Sequence, residues 1–191
     1  MKKLNQYINE KLCVSKDNTI SERLVISKKL KQYQYTCQPK DKDELREILK
    51  ERLAKDKNAD LNDIDVSQIN DMGGLFFNLD PHNIKIDRWD VSNVKDMGKI
   101  FDNCYHFNCD LSNWDVSNVK DMKYMFYNCY AFNSNLENWD VSNVENMFAM
   151  FYQCKKFNND LSVWDVSNVT NMAFMFYNCK TLKNKSSWHN E

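Results

Sequence analysis

A 25-residue repeat is the feature that most constrains what this 191-residue chain can fold into. The stretch "NWDVSNVKDMKYMFYNCYAFN" begins at Asn113, and "NWDVSNVENMFAMFYQCKKFN" begins 25 residues later at Asn138. A degenerate earlier copy starts at Ile64, and the pattern decays after Cys179. Such units cannot each build a core, so they bury their apolar faces by stacking on one another. The repeated residues include Trp89, Trp114, Trp139 and Trp164, Phe101, Phe126, Phe151 and Phe176, and Cys104, Cys129, Cys154 and Cys179.

The apolar residues within one repeat predict a short helix. Met97, Ile100, Phe101 and Cys104 follow the spacing i, i+3, i+4, i+7, which is one face of a helix. The preceding stretch "LSNWDVSNV" alternates apolar and polar residues, which is typical of short extended segments joined by a turn. We therefore expect an α/β repeat solenoid, leucine-rich-repeat-like, with short parallel strands plus a short helix in each 25-residue unit.

The chain before the repeats has the character of a cap. In "DKDELREILKERLAK" an apolar stripe predicts a helix, and Pro39 and Asp41 are suitable start signals. Earlier, "NQYINEKL" suggests a short helix and "TISERLVISKKLKQYQYTCQ" a strand or hairpin. The predicted domains are a mainly helical N-terminal head and cap over 1–60, and about five repeats, the last one frayed, over 61–191. The stripe of the cap helix consists of Leu45, Ile48, Leu49 and Leu53.

Charge and hydropathy limit the classes of partner. Residues 1–60 hold 15 Lys and Arg against 10 Asp and Glu, whereas residues 61–191 hold 11 against 17. A mildly acidic repeat region argues against nucleic-acid binding, which needs clustered positive charge. We find no apolar run long enough for a signal peptide or a membrane span, so we expect a cytoplasmic protein without a membrane partner.

Little in the sequence indicates catalysis or metal binding. The chain has three histidines and three glycines, and it lacks phosphate-binding and nucleophile motifs. None of its seven cysteines has C-x-x-C spacing, and "CYHFNC", the nearest approach to a ligand cluster, occurs in one repeat only. We therefore expect buried free thiols in a reducing compartment, no enzymatic activity, no catalytic residue, no cofactor and no metal.

Stacking at a fixed period turns each polar position into a column. One column of aspartates could be a calcium ladder, but one carboxylate per repeat falls short of the oxygens that Ca²⁺ needs. The favoured interpretation is an Asx turn, in which each carboxylate accepts from the backbone two residues later. Two columns of asparagines are likewise interpreted as structural. The aspartates are Asp65, Asp90, Asp115, Asp140 and Asp165, and the asparagines are Asn93, Asn118, Asn143 and Asn168, and Asn108, Asn133 and Asn158.

Aromatic residues on the face opposite the predicted helical stripe are the candidates for partner binding. Two interpretations stay open: exposed aromatic clusters often form partner surfaces, but such rings can also simply cover the repeats. The candidates are Tyr105, Tyr124, Tyr127, Tyr130, Phe148, Tyr152, Phe174 and Tyr177.

The pattern "FNxDLSxWDVSNVxxMxxMFxxC", over about residues 61–182, resembles the repeat of the BspA-like leucine-rich-repeat family. The resemblance implies a curved solenoid used for binding, and the best-known members are exported adhesins. We therefore expect a non-enzymatic protein–protein interaction module with an unknown protein partner and an unspecified oligomeric state. The alternatives are a phage virion-associated protein, an inhibitor of a host system, and a surface adhesin, against which the missing signal peptide argues.

Overall fold

The computed structural model describes residues 35–183 and Trp188, which belong to one compact unit. Helix α1, Lys42–Lys55, is the single α-helix among these residues. The five 25-residue units that follow are called repeats 1 to 5 and begin at Leu61, Ile86, Leu111, Leu136 and Leu161. The helix predicted in "NQYINEKL", and most of the stretch predicted as a strand or hairpin, lie outside the described residues.

Helix α1 forms as its sequence predicts. The side chain of Asp41 caps it by accepting a hydrogen bond from the N–H of Glu44 at 2.9 Å. At the other end, the N–H of Asp56 still reaches the carbonyl of Arg52, after which the chain becomes extended. Three leucines of the apolar stripe are buried and Ile48 packs partly against the core, so the helix predicted in this stretch is confirmed.

The predicted α/β solenoid is wrong. Within the described residues the repeats contain no α-helix, and no strands pair into a sheet. Neighbouring repeats are joined by isolated parallel bridges, so each repeat is a series of turns and short extended links rather than a strand and a helix. The bridges that join one repeat to the next are Asp71–Asp96, Asp96–Asp121, Asp121–Asn146 and Asn146–Asn171.

Hydrogen bonding explains why the apolar stripe is not helical. In repeat 3, the N–H groups of Met122, Tyr124, Phe126 and Asn128 donate to carbonyls of repeat 4, at 2.8–2.9 Å. Of the intervening N–H groups, those of Met125 and Tyr127 donate three residues back within the repeat and close successive β-turns, and that of Lys123 donates to Oδ1 of Asp121. An α-helix needs every N–H to donate four residues back, so a segment that gives alternate N–H groups to its neighbour cannot be one.

Backbone angles lead to the same conclusion. Tyr124 and Asn128 have φ of 57° and 59°, in the left-handed region that a right-handed helix excludes. The same two places are left-handed in every repeat, and we call the segment around them the turn segment. The other members are Gly74, Lys99, Ala149 and Phe174 at the first place, and Asn78, Asn103, Gln153 and Asn178 at the second.

The predicted core stripe is nevertheless buried, because successive turns with a four-residue period also bring these side chains to one side. Phe101 and Phe126 stack with ring centroids 5.7 Å apart, and the Phe column continues in the same way through the repeats. The thiol of Cys129 is completely buried and donates to the carbonyl of Phe101 at 3.0 Å. Burial raises the pKa of Cys129 well above its usual value. The prediction of buried thiols is confirmed for Cys104, Cys129 and Cys154, while Cys179 is half-buried; that the thiols are reduced stays a prediction.

Side chains supplement the backbone bonds between repeats. The indole N–H of Trp139 donates to the carbonyl of Leu111, the first residue of the preceding repeat, at 3.0 Å. The amide of Asn143 donates to the carbonyl of Ser117 at 2.8 Å, so this asparagine column is structural as predicted. The Asx-turn interpretation of the aspartate column is also confirmed, because each aspartate accepts a hydrogen bond from the backbone N–H of the serine two residues later. These serines are Ser67, Ser92, Ser117, Ser142 and Ser167.

Arg46 of α1 supplies hydrogen-bond donors to the first repeat. From repeat 2 onward, four carbonyls of each repeat accept N–H groups from the preceding repeat. In repeat 1, two of the four corresponding carbonyls belong to Leu75 and Phe77, and a helix precedes this repeat instead of another repeat. The guanidinium of Arg46 donates to both carbonyls and to that of Gly74, and so replaces the missing backbone donors.

Replacing this donor tests the capping role. Arg46→Met keeps most of the apolar stem but leaves part-buried carbonyls unsatisfied, so we expect a loss of about 2–3 kcal/mol in the free energy of unfolding. Urea unfolding followed by circular dichroism measures it. Lys50→Met on the same helix removes only an exposed ion pair with Glu47 and should change stability by less than about 0.5 kcal/mol. Equal effects of the two substitutions would contradict the capping role.

Two substitutions of Trp139 separate the contribution of its indole hydrogen bond to stability from the contribution of burying its ring. Trp139→Ala should cost about 3–5 kcal/mol as a large-to-small change in the core. Trp139→Phe should cost about 1–2 kcal/mol, since it keeps most of the buried ring area and loses mainly the hydrogen bond to Leu111. Trp188 is half-buried, so Trp188→Ala should cost clearly less than Trp139→Ala in the same urea experiment.

Candidate functional site: an aromatic groove

Six of the eight predicted partner-binding residues gather around one depression, which we call the aromatic groove. It has a volume of ≈ 390 Å³ and is formed by the turn segments of repeats 3, 4 and 5. A second depression, of ≈ 520 Å³, lies at the start of α1, but charged residues line it and no aromatic ring does. The lining of the aromatic groove is Tyr124, Tyr127, Phe148, Ala149, Tyr152, Phe174 and Tyr177.

Two files of rings build the groove. Tyr127, Tyr152 and Tyr177 occupy the same place in successive repeats, and their rings stack with centroids 4.6 and 4.7 Å apart. In the second file, Phe148 lies between Tyr124 and Phe174 and meets each ring edge-on, at 5.2 and 5.8 Å. Tyr124 and Phe174 are the left-handed residues of their repeats. In repeat 4 the left-handed residue is Ala149, and the ring that joins the file is that of the preceding residue, Phe148. Ring contacts between Tyr124 and Tyr127 and between Phe174 and Tyr177 join the two files.

Exposure increases along the groove. Phe174 and Tyr177 are 60% and 54% exposed, whereas the four aromatic residues of repeats 3 and 4 are half-buried by their stacked neighbours. The predicted file of tyrosines therefore exists, although no helix presents it. That the file binds a partner stays a prediction.

The remaining two candidates lie apart from the groove lining. Tyr105 and Tyr130 contact each other with ring centroids 5.2 Å apart. The ammonium of Lys155 lies 3.6 Å from the centre of the Tyr130 ring, a cation–π contact. The structure thus divides the predicted set into a groove of six residues and a separate pair.

Asp102 is a residue that the sequence analysis missed. It occupies in repeat 2 the place that Tyr127, Tyr152 and Tyr177 occupy later, and it is only 7% exposed. Its Oδ1 accepts no hydrogen bond from a described residue. Burial raises the pKa of Asp102 to about 6, and the nearby Lys99 offsets part of that rise. The available signal was the break in the tyrosine column at this place.

Asp102 should make stability depend on pH. Its pKa is about 6 in the folded protein against about 3.9 when unfolded, so the folded state binds the proton more tightly. The free energy of unfolding should therefore fall as the pH rises from about 4 through 6, by on the order of 2–3 kcal/mol. Asp102→Asn should remove this fall, and urea unfolding at several pH values measures the difference.

Asp160→Asn is the matched control for the pH series. The backbone N–H of Ser162 lowers the pKa of the exposed Asp160, so its charged form is the one that folding favours. Removing that carboxyl should slightly reduce stability at neutral pH and leave the fall between pH 4 and 6 in place. If Asp102→Asn gave a pH profile parallel to that of the unchanged protein, the assignment to Asp102 would be wrong.

Metal-ligating side chains come together at one place in the described part of the chain. Asp80, His82 and His106 each offer a ligand atom, and these atoms lie within 4.8 Å of one another. The group does not include the cysteines of "CYHFNC": the thiol of Cys104 donates to the carbonyl of Phe76, and that of Cys109 to the carbonyl of His82. These two thiols contribute to the packing and backbone bonding of the repeats.

Comparisons with known proteins identify the repeat family. The family model described as "Mycoplasma protein of unknown function, DUF285" matches residues 44–156 and, in a second overlapping match, residues 130–191. No curated protein and no solved structure matches the chain. Helix α1, the one helix of the described residues, lacks the length and the apolar character needed to cross a bilayer. The family match agrees with the BspA-like resemblance of the 25-residue units, and the chain therefore belongs to the DUF285 family.

Proposed function

We propose that this protein is a non-enzymatic binding module whose aromatic groove takes a short apolar segment of another protein. The observation that carries the proposal is the convergence of six aromatic rings from three successive repeats on one groove, with two rings more than half exposed. Aromatic rings give a large contact area for little loss of conformational entropy, and they often dominate the binding energy of interfaces.

The dimensions and chemistry of the groove favour a peptide segment. A volume of ≈ 390 Å³ is near the lower end for ligand sites, so we expect it to hold two or three large side chains. The lining is apolar except for the tyrosine hydroxyls, which can donate hydrogen bonds to backbone carbonyls of a bound segment. Most of the rings are held by ring contacts with neighbouring repeats, so binding requires little further ordering.

Charge at one end of the groove suggests the orientation of the segment. The ammonium of Lys99 in repeat 2 lies 5.2 Å from the centre of the Tyr124 ring. An acidic side chain of the partner would meet this cation as its apolar side chains enter the groove. The occupant we propose is therefore a segment with two or three aromatic or large aliphatic residues and an Asp or Glu at one end of them.

Selection from a library of displayed random peptides tests the proposal. Peptides are selected on the full chain and counter-selected on Phe174→Ser/Tyr177→Ser, which changes the two most exposed rings of the groove. We expect the enriched peptides to combine apolar residues with an acid and to bind this variant at least ten-fold more weakly, about 1.4 kcal/mol. Fluorescence polarisation with labelled peptides gives the affinities.

Two further variants make the result specific. Tyr105→Ser/Tyr130→Ser removes two rings that do not line the groove, so it should leave the affinity unchanged. Lys99→Ala should weaken the acidic peptides selectively. Circular dichroism confirms that each variant is folded. Peptides that bind the groove variant and the unchanged protein equally well, or a library that yields no binder, would exclude the groove as the binding surface.

A further inference from the structure

A cluster unlike anything else in the described repeats lies where repeats 1 and 2 meet. Asp80 and His82 belong to the last loop of repeat 1, and His106 to the corresponding loop of repeat 2. One ligand atom from each side chain lies within 4.8 Å of one from each of the others. We propose that Asp80, His82 and His106 bind a divalent transition-metal ion, with Zn²⁺ as the preferred ion.

The backbone holds the three side chains in place. The N–H of His106 donates to Oδ1 of Asp80 at 2.9 Å, while Nδ1 of the same histidine lies 2.8 Å from Oδ2. Asp80 adopts a left-handed φ of 46°, and the N–H of His82 donates to the carbonyl of Lys57 at 2.8 Å. The two imidazole rings face each other with centroids 4.8 Å apart and planes tilted by 49°. The ligands are thus close together without any rearrangement of the chain.

The cluster is not a by-product of the repeat. The place of Asp80 is taken by tyrosine or lysine in the later repeats, and the place of His106 by alanine, lysine or threonine. His82 replaces a phenylalanine of the buried column that includes Phe107. Three departures from the repeat therefore meet at one point, and each introduces a metal-ligating side chain.

The donor set indicates the class of metal. Two imidazole nitrogens and one carboxylate oxygen suit Zn²⁺ and the neighbouring divalent transition metals, which bind such ligands at about 2.0–2.2 Å. Ca²⁺ and Mg²⁺ prefer sites made entirely of oxygen. The ligand atoms are close enough for small side-chain rotations to bring all three onto one ion, which would displace the present contact between Asp80 and the His106 ring. The side chain of His106 is 65% exposed, so an ion can enter directly from solvent.

Metal binding would join the two repeats. The ion would connect the loop that follows the capped repeat 1 to the loop of repeat 2, and binding to the folded state alone stabilises that state. Three protein ligands also leave at least one coordination position for water or for a side chain of a partner. The site therefore offers metal-dependent stability and a second, chemically distinct contact point away from the groove lining.

Zinc titration of the full chain tests the inference. Isothermal titration calorimetry should show one strong Zn²⁺ site per chain, with a dissociation constant below about 100 µM, about −5.5 kcal/mol. His82→Ala/His106→Ala should weaken binding at least ten-fold and abolish the zinc-dependent rise in thermal midpoint. Replacement by Co²⁺ should give the absorption of a nitrogen and oxygen site without a sulfur charge-transfer band, which excludes binding by cysteines.

His189→Ala is the matched control, since it removes the third histidine, which lies outside the described residues. It should leave the affinity and the stoichiometry unchanged. If the double variant fails to fold, His106→Ala and Asp80→Asn, which change an exposed and a half-buried side chain, give the same comparison. Binding weaker than about 100 µM, binding that survives these substitutions, or a Co²⁺ spectrum with sulfur ligation would overturn the proposal.

Discussion

The hydrogen bonds from alternate N–H groups of one repeat to carbonyls of the next are the constraint on which the rest of the structure depends. They leave only every second N–H for bonding within the repeat, so the segment folds as successive turns and not as a helix. These successive turns require a left-handed residue at every fourth position of the turn segment, as at Tyr124 and Asn128. The same bonds also leave the first repeat with carbonyls that lack a preceding donor, and Arg46 of the cap helix donates to two of them.

The sequence predicts the period, the cap helix and the buried stripe, but not the local backbone. Apolar residues at i, i+3, i+4 and i+7 fit one face of a helix, and they fit equally a run of turns that repeats every four residues. Asparagine, which adopts the left-handed region readily, was the available clue, and it stands at that place in Asn103 and Asn128. Lys99, Tyr124 and Ala149 give no such clue, because bonds to neighbouring repeats impose their conformation. The spacing alone therefore predicts a helix, and the turns follow only from the hydrogen bonds between stacked repeats.

The aromatic groove was predictable in part for a reason that does not depend on the helix. A fixed period of 25 residues brings Tyr127, Tyr152 and Tyr177 into one file whatever the local backbone, provided that the repeats stack. Phe148 joins the lining from the place next to the left-handed residue, Ala149, whose own side chain is a single methyl group. The metal-ligand cluster could not be found from spacing, since Asp80 and His106 are 26 residues apart and fall in different columns. Such a contact depends on how two loops fold against each other.

The residues that recur in every repeat and the residues that differ between repeats have separate roles in this molecule. The repeated residues make the backbone bonds and the buried columns, so they determine the stack and cannot distinguish one part of it from another. Departures act locally: Asp102 ends the tyrosine file at repeat 3, and His82 and His106 create a donor set at one junction. Asp102 is also held in a buried position, and this burial raises its pKa; the stack accommodates the carboxyl because the bonds between repeats run through the backbone. Side chains outside the repeated set can therefore vary from repeat to repeat without changing the stack, and both the proposed peptide groove and the proposed metal site are built from such variable positions.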